Sequence, residues 1–85
     1  MARTLASRVK WARDIAGVSQ ERLAETCGLS GAHISLIEAD KRRNLTWQTL
    51  ARLAAGLGVS AEWLMTGKGP TPSEEQIRAA HEEAA

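Results

Sequence analysis

The sequence predicts an all-α protein, and three observations point that way. Ala, Leu, Arg and Glu abound among its 85 residues while Val, Ile and Thr are sparse, and Phe and Tyr are absent; that balance favours helix over strand. Apolar residues recur at i, i+3, i+4 and i+7 in successive segments. Most segments are preceded by Ser or Thr and followed by Gly, the residues that start and stop helices. A chain of this length holds one small core.

The elements follow in order. Leu5, Val9, Ala12 and Ala16 form one stripe with Ile15 beside it, so a first helix covers about residues 4–16. Arg3, Arg8, Lys10, Arg13 and Asp14 take its remaining surface, and Gly17 closes it. Ser19 caps a second helix with Glu21 in its first turn, Leu23, Ala24 and Cys27 on its apolar edge, and Gly28 at its end. Ser30 caps a third, whose inward residues are Ile34 and Ile37. After a loop from Asp40 to Leu45, Thr46 caps a fourth helix with Leu50, Leu53, Ala54 and Leu57 in full helical register. Ser60 caps a short fifth carrying Trp63, Leu64 and Met65. Trp11 is expected to be partly exposed, and Trp47 to pack over the loop. "GKGPTPS" reads as a linker. Ser73 and Gln76 have the spacing of a capping box, but Ile77 is the only large apolar residue beyond, which predicts a frayed or conditionally ordered helix. The division expected is a domain over 1–66 with its key motif at 19–39, then a linker and an acidic tail with helical potential over 67–85.

Charge is uneven. Residues 1–57 hold nine Lys or Arg against five Asp or Glu, a balance of +4, and residues 58–85 hold two against five, a balance of −3. A basic body with an acidic tail suits a polyanion partner. Cys27 is the only cysteine, so no disulfide framework is built within the chain. No segment approaches the ~20 apolar residues of a membrane span or resembles a signal peptide. A cytoplasmic protein is expected, without membrane, cofactor, metal or small-molecule ligand. Phosphate-binding loop, zinc spacing and nucleophile motif are all missing, and the expectation is a binding protein, not an enzyme.

The informative segment runs from Gln20 to Ala39. Two short helices meet at a tight turn, where Gly28 permits the reversal and Ala24 lets them cross closely. With "SQERLAE", "GLS", "ISLIE" and "LGVSAEWL" in order, residues 8–64 resemble the phage repressor and Cro type of helix-turn-helix protein. Bacterial regulators named for the xenobiotic response element belong to the same wider family. The resemblance implies a five-helix bundle that binds double-stranded DNA as a homodimer, with the motif's second helix in the major groove.

Carried onto this sequence, the resemblance implies a phosphate contact for Gln20; the alternative is a solvated helix residue. Ser30, Gly31, Ala32, His33, Ser35 and Leu36 would face the bases. Here the pattern departs from many relatives, which carry long polar side chains where this chain has Gly31 and Leu36. Ala32 and Leu36 offer only apolar contacts, leaving polar reading to Ser30, His33 and Ser35; the alternative is a helix that presents shape alone. Arg13 and Glu38 match a pair tying the first helix to the end of the third. Lys41, Arg42, Arg43 and Asn44 would follow the DNA backbone, with Asp40 standing where relatives often have Gly. Val59, Trp63 and Leu64 would lie at the dimer contact.

These features imply a free-standing transcriptional regulator on a palindromic operator. "RRNLTWQTL" resembles restriction–modification controller proteins, "LGVSAEWLMTG" resembles phage repressors, and antitoxin-type regulators fit the size. The rival is a protein-interaction module that keeps the fold and reads bases weakly or not at all.

Overall fold

Among the described residues six helices follow one another, each opened by a hydroxyl side chain. A computed structural model describes residues 4–41 and 45–84. The helices are α1 (Leu5–Ala16), α2 (Gln20–Cys27), α3 (Gly31–Glu38), α4 (Trp47–Leu57), α5 (Ala61–Thr66) and α6 (Glu74–Ala84), and no strand occurs among the described residues. Thr4, Ser19, Ser30, Thr46, Ser60 and Ser73 each accept a hydrogen bond from the backbone N–H three residues on, at 3.0–3.1 Å. Each such cap satisfies a donor the helix cannot, stabilising it by about 1 kcal/mol.

The core is the sum of the inward stripes. Val9 and Ala12 of α1, Leu23 and Cys27 of α2, Ile34 and Ile37 of α3, and Leu53 and Leu57 of α4 are all buried together. At Gly56, in the interior of α4, an added Cβ would collide with the Cys27 sulfur. That glycine therefore sets how closely α4 approaches α2.

The C-terminal segment departs from expectation. Instead of fraying, α6 packs against α1 and α4, and Ile77 is fully buried in the common core. Pro72 of the linker is buried as well. Gly58 makes room for the contact, since a Cβ there would lie 2.5 Å from the Ala80 Cβ. Periodicity within residues 74–84 could not show this, because the partners that bury Ile77 lie on other helices.

Arg8 is a second departure. It was expected on the solvated side of α1, yet it is 5% exposed. Its Nε donates to the Leu64 carbonyl at 2.7 Å and its Nη2 to the Met65 carbonyl at 2.9 Å. The guanidinium satisfies carbonyls at the C-terminal end of α5, where the helix dipole favours a cation. Burial pulls its pKa down. Trp47 is the third: expected to pack over the loop, at the first position of α4 it is 62% exposed. Trp11 is half-buried as expected and packs on Trp63, with ring centroids 5.8 Å apart.

Candidate nucleic-acid interface

The α2–α3 unit turns at Gly28, whose φ of 71° is a conformation glycine adopts without strain. Beyond it the Leu29 N–H returns to the Ala24 carbonyl at 2.8 Å. The α3 that follows buries only Ile34 and Ile37. Its opposite side carries Ala32, Ser35, Leu36 and Ala39. All four are exposed, Ala39 as the residue that caps the helix end, and together they keep the i, i+3, i+4, i+7 spacing of a single stripe.

Glu38 ties this helix to the body. Arg13 of α1 donates from Nε to Glu38 Oε2 at 2.6 Å and from Nη2 to Glu38 Oε1 at 3.0 Å, while Nη1 donates to the Val18 carbonyl at 2.9 Å. The two side chains are 14% and 6% exposed. The hydrogen bond to Glu38 raises the Arg13 pKa against the opposing effect of burial. This two-pronged pair limits rotation of α3 about its own axis, so the outward stripe keeps a defined direction.

The expected base-reading residues fare differently. Ser35, Ala32 and Leu36 are exposed, Leu36 by 41%. Ser30 spends its oxygen as the cap, accepting from the His33 N–H at 3.1 Å. Gly31 has no side chain to offer. His33 is half-buried, and its Nε2 is shielded from solvent with no hydrogen-bond partner among the described residues, so in this conformation the ring tip does not reach outward as the sequence suggested. Ala39 was missed; its place seven residues after Ala32 was the available signal.

The expected phosphate contacts also divide. Gln20 is exposed by neither extreme but half-buried, and its amide donates to Glu38 Oε1 at 3.3 Å, so its side chain is engaged within the protein. Lys41 is exposed, and its N–H donates to the Leu36 carbonyl at 3.0 Å, closing α3. Arg42, Arg43 and Asn44 lie outside the described residues. Asp40 takes the left-handed position of this closure, with φ at 59°, where α1, α2, α4 and α5 each have glycine.

The expected dimer residues lie inside the protomer. Val59, Trp63 and Leu64 are 9%, 4% and 0% exposed. They fill the protomer's own core against the inward faces of its helices, and almost none of their surface remains for a partner. The exposed neighbour on α5 is Met65, at 44%.

Other chemistry finds little footing. The Cys27 thiol is buried, and its surroundings push its pKa up to about 11, which keeps it protonated and unreactive at neutral pH. No cluster of three or more His, Cys, Asp or Glu that could hold a metal occurs among the described residues. Nor is any helix among them long and apolar enough to cross a membrane.

Residues 6–70 match a helix-turn-helix domain family. Control protein C.SmaI of Serratia marcescens is 43% identical over 65 residues, which are 76% of each chain. The HTH-type transcriptional regulator PrtR of Pseudomonas aeruginosa is 34% identical over 77 residues, 91% of this chain and 29% of that protein. A protein of Neisseria meningitidis described as a hypothetical transcription factor is 37% identical over 62 residues, 73% of this chain and 53% of its own. No solved structure matches the chain.

Proposed function

This chain belongs to the helix-turn-helix domain family, in its xenobiotic-response-element and Cro-type branch, and on that footing we propose that it regulates transcription as a homodimer on a palindromic operator. Two copies of α3 would enter successive major grooves about 34–36 Å apart, one turn of duplex. Lys41 and the basic residues after it would grip phosphates beside each α3, contributing affinity and no sequence preference. The likeness to a control protein over three quarters of both chains favours the controller type of regulator among those the sequence suggested.

The observation that carries this reading is the outward stripe of α3, held in place by the Arg13–Glu38 pair and flanked by exposed Lys41. A stripe so held serves a surface that must be met at one angle. For the contact between copies, Met65 is the large apolar residue of α5 that stays exposed beside the buried Trp63 and Leu64.

A second reading, a protein-interaction module, draws on the apolar character of the same stripe. Salt separates the two. For a DNA regulator, duplex affinity falls steeply as salt rises, and Lys41→Ala reduces the logarithmic salt slope by about one. Binding by fluorescence anisotropy across a salt series measures this. A flat dependence would favour the interaction module.

A further inference from the structure

We propose that α3 reads the 5-methyl groups of pyrimidines in the major groove, so that 5-methylcytosine substitutes for thymine in the operator. The inference rests on the DNA-binding reading above and names what that surface recognises.

The argument starts from what the outward stripe lacks. Side chains that identify bases by paired hydrogen bonds are Arg or Lys for guanine, Asn or Gln for adenine, and Asp or Glu for the cytosine amino group. Ala32, Ser35, Leu36 and Ala39 include none of them. The polar groups expected nearby offer no such pair. Ser30 Oγ accepts the His33 N–H, Gly31 has no side chain, and His33 Nε2 has no exposed surface. The stripe itself presents one hydroxyl, on Ser35, among methyl and isobutyl groups, while the exposed Ser30 hydroxyl at the helix start keeps a proton to donate but no paired geometry for a base edge.

An apolar surface in the major groove meets one apolar landmark, the C5 methyl of thymine. Cytosine carries hydrogen at the same ring atom, and 5-methylcytosine carries the methyl. A stripe that senses the methyl and does not bond the exocyclic groups therefore has little means of telling thymine from 5-methylcytosine. Leu36, 41% exposed, is the residue with most apolar surface to cover. Burying one methyl against it changes affinity about fourfold. Lys41 adds attraction to phosphate but no discrimination, which leaves discrimination to the stripe. Methylation of cytosine at C5 would then alter occupancy of a site in vivo without any change in its sequence.

The test uses the full chain and a duplex recovered from a random pool, with affinity read by anisotropy at one salt concentration. Replacing thymine by deoxyuridine removes only the methyl. At one or two positions in each half-site this change is expected to weaken binding about fourfold. Leu36→Ala, at a half-exposed position outside the core, should abolish that difference between thymine and uracil. Exchanging the same pair for cytosine–guanine should weaken binding, and 5-methylcytosine in place of that cytosine should regain about fourfold. The proposal is overturned if a specifically bound duplex tolerates uracil everywhere, if its half-sites contain no thymine, or if Leu36→Ala keeps the full difference. If no duplex is preferred over any other, the DNA-binding reading itself fails, and this proposal with it.

Discussion

Helices α2 and α3 have eight residues each, and both begin at a capping serine. They differ in what holds them and in what they show to solvent. α2 is anchored by three apolar side chains, Leu23, Ala24 and Cys27, and its other face carries Glu21, Arg22, Glu25 and Thr26, all exposed. α3 is anchored by Ile34 and Ile37, with the ion-paired Glu38 where α2 has a third apolar residue. Its outer face is three apolar residues and a serine. α2 is built as an ordinary surface helix, amphipathic and content in water. α3 departs from that pattern on both counts, and the two departures serve a single end. Its anchor is directional, and its outer face gains from leaving water.

The largest test of this contrast removes the unusual anchor. Glu38→Ala leaves the Arg13 guanidinium shielded without its carboxylate, and a loss of about 3 kcal/mol is expected in urea denaturation. Glu25→Ala on α2 removes only an exposed pair with Arg22, 3.6 Å apart, and should change stability by less than about 0.5 kcal/mol. Equal losses for the two would mean that Glu38 is no special anchor. Next in size is the helix end. Asp40 holds a left-handed conformation that Gly28 supplies for α2. Asp40→Gly should therefore raise stability by about 1 kcal/mol, visible as a higher thermal midpoint; a fall would show that the Asp40 side chain contributes something glycine lacks. The smallest effect concerns the outer face. Leu36→Ala should leave the unfolding midpoint within about 0.5 kcal/mol of the parent while weakening duplex binding. A large stability loss there would place Leu36 in the core and remove it from the interface.

Much of the α2–α3 unit was legible in advance because its signals are local. Ser30 and Gly28 act on backbone groups a few residues away, and the inward positions Ile34 and Ile37 follow from helical period. The Arg13–Glu38 pair was legible through family resemblance, since nothing in the chain between those two charges, 25 positions apart, requires them to meet. The shielding of the His33 ring tip was not legible, because a position on the helical wheel does not reveal what covers it. The burial of Val59, Trp63 and Leu64 was hidden for a related reason. A short helix with large apolar residues looks unpartnered until the helices that cover it are in place.

By itself the sequence determined where each helix starts and stops, the all-α class and the hinge of the motif. Those features depend on hydrogen bonds and dihedral preferences spanning three to five residues, which any stretch of chain carries with it. Only the tertiary structure decided that Arg8 is buried against carbonyls 56 and 57 residues away, that α6 completes the core through Ile77, and that one face of α3 is left outside. Burial is a property of the assembled surface, because whether water is excluded from a side chain depends on every element packed around it.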